Sequence, residues 1–200
     1  MQTIGIFIFN NIEVLDFAGP FEVLSTAQRL HSIECGDPAD RLFEVVTIAE
    51  KPAEIIARGG LKVIPAHGIE YHPHLDVLFV PGGVVAAEMN KENVLSWIST
   101  TSERADITAS VCTGAFLLAQ AGLLKGIEVT THWEDIEELR LSFPELSVKE
   151  NTRWVDNGHI ITSAGVSAGI DMSLHLVNRL AGKEHAVKTA RQMEYDWHGN

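Results

Sequence analysis

The sequence predicts an α/β fold: a mostly parallel sheet with helices on both faces. Two observations carry that expectation. Short β-branched runs alternate with helix-length amphipathic segments along the whole chain, the pattern of βα units around a sheet buried on both faces. Each strand-like run is closed by Gly, Pro, Asn or a helix-start signal. At 200 residues and 46% hydrophobic, the chain can bury roughly 70% of the surface its unfolded form exposes, enough for one sizeable core. No repeat, low-complexity tract or linker interrupts it, so residues 1–200 read as one domain.

In chain order, the first strand is expected at 3–9 and the first helix at 20–30. Pro20 suits a first helical turn, where its missing N–H would be unpaired anyway. Residues 31–41 read as an inserted loop, with Cys35 in a polar Gly/Pro/Asp setting that offers the thiol no activating partner. Strands follow at 43–48 and 77–80, with a weaker one at 61–64 at an edge or in a hairpin. A helix over 93–104, a strand at 107–111 and a helix over 114–121 come next. The chain continues with a strand at 129–131, a helix at 134–141, a weak strand at 153–155 and a strand at 159–162. Two helices end it, 168–180 and 185–195, and Ser167 is expected to cap the one that runs through Ile170, Leu174 and Val177.

Fifteen basic residues against 27 acidic ones give a net charge of -12. Phosphate binding needs Lys and Arg to displace counterions, so no nucleic acid or anionic membrane partner is expected for this chain alone. No apolar run approaches the roughly 20 residues that span a bilayer. The run at 4–9 lacks the basic flank and cleavage site of a signal peptide, and two cysteines are too few for a disulfide framework. A reduced, cytoplasmic setting is the expectation.

Thr108-Ala109-Ser110-Val111-Cys112-Thr113-Gly114-Ala115 carries the most chemistry: an apolar strand runs straight into a helix with a cysteine at the junction. A sharp strand-to-helix turn of this kind presents a nucleophile at the carboxyl end of a sheet. The following helix start favours the thiolate, although free cysteines are also among the most buried residues. Val80-Pro81-Gly82-Gly83 leaves a strand at the same end, where the Gly83 and Thr113 amides could together form an oxyanion hole. Leu15-Asp16-Phe17-Ala18-Gly19-Pro20-Phe21-Glu22 brings two carboxylates near that crevice. Asp16 or Glu22, flanked by apolar residues, could hold a raised pKa and move a proton, or could simply complement a helix dipole. Nine histidines, including His67, His72 and His74, complete no ligand set, so no metal site is expected. His132 reads as a supporting residue, and Gly165-Val166-Ser167-Ala168-Gly169 as a tight turn rather than an anion site.

Seven islands in order resemble the ThiJ/PfpI superfamily, closest to its isonitrile hydratase branch. They are Leu-Asp-Phe-Ala-Gly-Pro at 15–20, Val-Pro-Gly-Gly at 80–83, Ser-Val-Cys-Thr-Gly at 110–114, Ala-Gly-Leu-Leu at 121–124, Thr-Thr-His-Trp at 130–133, Ala-Gly-Ile-Asp at 168–171 and Gln-Met-Glu-Tyr at 192–195. The resemblance implies a flavodoxin-like three-layer sandwich of the class I glutamine amidotransferase-like kind, a homodimer and no cofactor. It implies Cys112 as nucleophile, Asp16 as general acid/base, Thr113 beside the nucleophile, and the Gly83 and Thr113 amides as oxyanion donors. Thr113 stands where the family's peptidases carry a histidine, which argues against proteolysis; Ala18 and Val84-Val85 depart from the hydratase pattern. The activity implied is a lyase-type hydration of a small isonitrile to an N-substituted formamide. A cousin activity is glyoxalase chemistry on small dicarbonyls. The rival is a regulatory or redox-sensing domain akin to the ligand-binding half of AraC-type transcription regulators; no basic helix-turn-helix is expected after Tyr195.

Overall fold

A computed structural model describes residues 1–197, so the last three residues of the expected 1–200 unit lie outside the described residues. The chain runs β1 (Gln2–Phe7), α1 (Val14–Cys35), β2 (Phe43–Ala49), β3 (Ile55–Ile56), β4 (Lys62–Val63), β5 (His67–Gly68), β6 (Val77–Val80), α2 (Glu92–Ser102), β7 (Ile107–Val111) and α3 (Gly114–Gln120). It continues with β8 (Glu128–Val129), α4 (Ile136–Ser142), β9 (Ser147–Val148), β10 (Trp154–Asp156), β11 (Ile160–Ser163), α5 (Ala168–Ala181) and α6 (Lys183–Gln192).

Seven strands form the central sheet in the order β10-β11-β7-β6-β1-β2-β5, parallel throughout except for β10, which pairs antiparallel with β11 at one edge. The apolar runs of β1, β6 and β7 are buried because helices cover both faces: α1, α5 and α6 pack together on one, α2 and α3 on the other. Ile4, Ile6, Phe7, Leu78 and Phe79 sit in the middle of the resulting core. The sheet order reverses at β1, since the chain steps from β1 outward to β2 and then returns to β6 on the other side. Such a switch opens a crevice outside the carboxyl ends of the strands.

Four local expectations need correction. Helix α1 starts at Val14 rather than Pro20, so Pro20 lies inside it and leaves the Asp16 carbonyl without its usual donor four residues on. The same helix runs to Cys35, so 31–35 is helical and the connection is shorter than expected; Gly36 ends the helix with φ 68°. The run at 129–131 contributes only Val129 to a strand, and β8 pairs with β9 in a separate two-stranded sheet. Ser167 has helical backbone angles and makes no side-chain cap, because the turn before it is closed by backbone bonds from Ala168 and Gly169 to Gly165 and Val166. The two weak strands fell near their expected places: β4 lies within 61–64 and pairs in a hairpin with β3, which was not expected, and β10 lies at the sheet edge.

Candidate active site

Four carboxyl-end segments meet at the crevice: those after β1, β6, β7 and β11. After β7 the chain enters Cys112 with φ +56°, a left-handed conformation that a non-glycine residue holds only under strain. That turn swings the chain into α3 with the sulfur facing the crevice side of the sheet. It depends on Gly114, where a Cβ would lie 2.0 Å from the Val80 carbonyl oxygen. The hydroxyl of Thr131 donates to the Cys112 carbonyl at 2.8 Å and so ties down the strained peptide.

Asp16 sits in the first turn of α1, fully buried and beside the Cys112 side chain. Its Oδ2 accepts the Gly82 N–H at 3.2 Å, an approach only glycine permits, since a Cβ at Gly82 would stand 3.0 Å from that oxygen and 2.5 Å from the Thr113 nitrogen. The Val166 amide also faces the carboxyl group. Val166 holds φ +48°, strained for a β-branched residue. Oδ1 is buried with no hydrogen bond of its own, so one carboxyl oxygen is free to take a proton.

Burial raises the Asp16 carboxyl to about 7; the thiol and the Gly82 amide pull it partly back. Burial, and then the charge of Asp16, push the Cys112 thiol up to about 12, against the pull of the Thr113 amide. Of the two readings the sequence left open, the pull of the helix start and burial of the thiol, burial prevails: α3 spans only seven residues, and its pull is outweighed by desolvation and a neighbouring carboxylate. The pair instead shares a proton that can move from sulfur to Asp16 without leaving two like charges side by side.

The structure brings Cys112, Asp16 and Thr113 together. It does not leave Gly83 as expected: its N–H donates to Thr113 Oγ1 at 2.8 Å and its carbonyl accepts from the same hydroxyl at 2.9 Å. The Gly83 amide expected to serve as an oxyanion donor is thus occupied by Thr113 here, and the neighbouring Gly82 supplies the amide that reaches the acid. Glu22, the other candidate acid, is exposed and engaged with Thr26 and Arg29. His132 packs its ring over Gly165 and lies 3.4 Å from Asp135, supporting the wall rather than the nucleophile. His72 accepts the Trp97 indole N–H at 2.8 Å.

A cavity of about 610 Å³ lies beyond Thr131 and Val166, lined also by His132, Trp133, Arg153 and Gly165; Cys112 and Asp16 themselves are not among its lining residues. Thr131 and Val166 border both the cavity and the pair. Arg153 is ion-paired to the buried Asp171. Neither Val166 nor Arg153 is marked as a site residue in the sequence, since a backbone amide has no letter there and a lone Arg in a weak strand does not stand out. Thr131 stood in an island but offered no sign that its hydroxyl would hold the elbow.

Fold and site together define a class: a parallel α/β protein with a cysteine on a strained strand-to-helix elbow and a carboxylic acid against it. The chain belongs to the DJ-1/PfpI family, whose model matches residues 2–179. It is 33% identical over 193 residues to the isonitrile hydratase of Pseudomonas putida, covering 96% of this chain and 78% of that one. It is 28% identical over 196 residues to the transcriptional regulator GbdR of Pseudomonas aeruginosa, covering 98% of this chain and 51% of the regulator, so it spans about half of that relative. Among solved structures, a ThiJ/PfpI family protein from Pseudomonas syringae superposes with a TM-score of 0.84 at 27% identity, covering 98% of this chain and 76% of that one. Among the described residues no helix is long and apolar enough to cross a membrane.

Proposed function

We propose that this chain is a cofactor-free cysteine-nucleophile enzyme that hydrates a small isonitrile to an N-substituted formamide, working as a single-domain cytoplasmic homodimer. The observation that carries the reading is the buried Asp16 carboxyl, raised to about 7, beside the Cys112 thiol on its elbow. An isonitrile carbon accepts both a nucleophile and a proton, which is what a thiol and a shuttling acid deliver together. Asp16 takes the thiol proton as sulfur bonds to the terminal carbon, then passes it to that same carbon, giving the thioimidate R–N=CH–S. Water adds to that carbon while its proton goes to nitrogen. The C–S bond then breaks, the hydroxyl proton returns to sulfur through Asp16, and R–NH–CHO leaves. The Thr113 amide, already directed at sulfur, steadies charge during attack. The cavity beyond Thr131 and Val166 has room for the substituent R.

The test is single-turnover mass spectrometry with an aryl isonitrile. Formamide release from the wild-type protein is expected, with a matching mass increment on Cys112, and both are expected to be lost in Cys112→Ala. Formamide formed at full rate by folded Cys112→Ala or Asp16→Asn would overturn the mechanism. A second reading, a ligand-binding or redox-sensing domain, is favoured by the regulator relatives that match nearly the whole of this chain. Mass spectrometry after mild peroxide separates it, since a sensor needs Cys112 to oxidise ahead of Cys35.

A further inference from the structure

On the far side of the molecule, the end of α1 carries a second thiol that the chemistry above does not use. His31 and Cys35 stand one helical turn apart on the last turn of α1, and the extension of that helix beyond residue 30 is what puts them on one face. Gly36 then reverses the chain, and Asp37 closes an Asx turn by accepting the Ala39 N–H at 2.8 Å, which brings Asp40 back over the helix end. Gln28 fixes the return. Its Oε1 accepts the Leu42 and Phe43 amides at 2.7 and 2.8 Å.

The three side chains converge on one point. Cys35 Sγ lies 3.6 Å from His31 Nε2, and Asp40 Oδ2 lies 3.4 Å from the same nitrogen. All three donor atoms fall within 4.8 Å of one another. Bond lengths of about 2.3 Å to sulfur and about 2.0–2.1 Å to nitrogen and oxygen, at tetrahedral angles, require edges of about 3.5 Å for S···N and about 3.4 Å for N···O. The two observed edges match both values. We propose that His31, Cys35 and Asp40 form a surface site for a thiophilic divalent transition ion of the zinc type, with water in the fourth position.

The donor set suits that class. A thiolate and an imidazole select zinc-like ions over calcium or magnesium, and the carboxylate adds charge. Glu34 and Asp37 stand close by, and Lys188 is held 2.8 Å from Glu34, which offsets its charge. Cys35 is exposed, which leaves the ion a route in and a water its place.

Titration of the full-length protein with Co²⁺ reads the site through the thiolate-to-cobalt charge-transfer absorption. One equivalent should produce the band in wild type and in Cys112→Ser and none in Cys35→Ser. Zn²⁺ affinity, from competition with a chromophoric chelator, should fall by more than about tenfold in both His31→Gln and Asp40→Asn. A band that survives Cys35→Ser, or one abolished by Cys112→Ser, overturns the site. So does zinc affinity unchanged in His31→Gln and Asp40→Asn. His31 and Cys35 lie on the last turn of α1 and Asp40 in the loop that follows it, and the thermal midpoint of each variant checks that its fold is intact.

Discussion

A carboxyl group kept out of water near neutral pH is a stability liability as well as a catalytic device, and Asp16 makes this measurable. Its ordinary value of 3.8 rises to about 7 in the folded protein. A difference of about three pH units corresponds to about 4 kcal/mol at 1.36 kcal/mol per unit. Because the folded state binds this proton more tightly than the unfolded chain, stability falls as pH rises from about 4 to about 7, and the full penalty stands above 7. Asp16→Asn keeps the shape and one acceptor oxygen for the Gly82 amide but never carries the charge. At pH 8 the variant should therefore be more stable than wild type by up to about 4 kcal/mol, on the order of 10 °C in Tm for a chain of this size. At pH 4 the two should nearly coincide. Urea unfolding of both proteins at half-unit steps from pH 4 to 8.5 measures the difference directly. A difference that does not change with pH, or an Asn variant less stable than wild type at pH 8, would refute the view that burial of a charged Asp16 dominates the site.

Three further outcomes follow from the same geometry. Thr113→Val strips the hydroxyl from both Gly83 backbone groups, which should cost about 1–3 kcal/mol in denaturant unfolding and lower turnover of an isonitrile. Gly114→Ala places a methyl group 2.0 Å from the Val80 carbonyl oxygen, a clash with backbone that no rotamer relieves; a loss of about 3 kcal/mol or more, or failure to yield soluble protein, is expected. Val166→Gly releases the strain of φ +48° and should leave unfolding stability equal to wild type or raise it by up to about 1 kcal/mol; a clear loss would show that Val166 packing outweighs its backbone strain.

The sequence carried what side-chain periodicity encodes. Parallel strands buried on both faces, the helix-length segments between them and the elbow at Cys112 all have signatures in residue type, and each stands near its expected place. What escaped it lives in backbone geometry. Pro20 read as a helix start because proline is favoured in a first turn, yet burial of Asp16 and Phe17 against the sheet draws the helix back to Val14. Two adjacent glycines gave no means of telling which amide would meet the acid, and only the Thr113 hydroxyl decides that Gly83 is taken. The polar stretch after residue 30 read as a loop because Gly36, Asp37 and Pro38 follow it, though the helix persists to Cys35 and pairs that thiol with His31. Charge states stayed open as well: the helix start argued for a thiolate and burial against it, and the Asp16 carboxylate beside the sulfur, visible only in three dimensions, adds to burial.

Those charge states bear on which chemistry the pair can perform. A thiol that ionises only near 12 is not a standing nucleophile at neutral pH, so reaction at Cys112 must move its proton as the new bond forms. Asp16, half-ionised near pH 7, is matched to accept that proton and return it, and its unpartnered Oδ1 leaves one face open for the transfer. The strained turns at Cys112 and Val166 hold the two groups in register, one through the direction of the sulfur and the other through an amide aimed at the carboxylate. An electrophile such as a peroxide uses the shuttle only in part, because the proton that Asp16 takes from sulfur goes to the leaving oxygen and not to the atom attacked. One whose addition consumes a nucleophile and a proton at the same carbon gains from every part of it, and an isonitrile is such an electrophile.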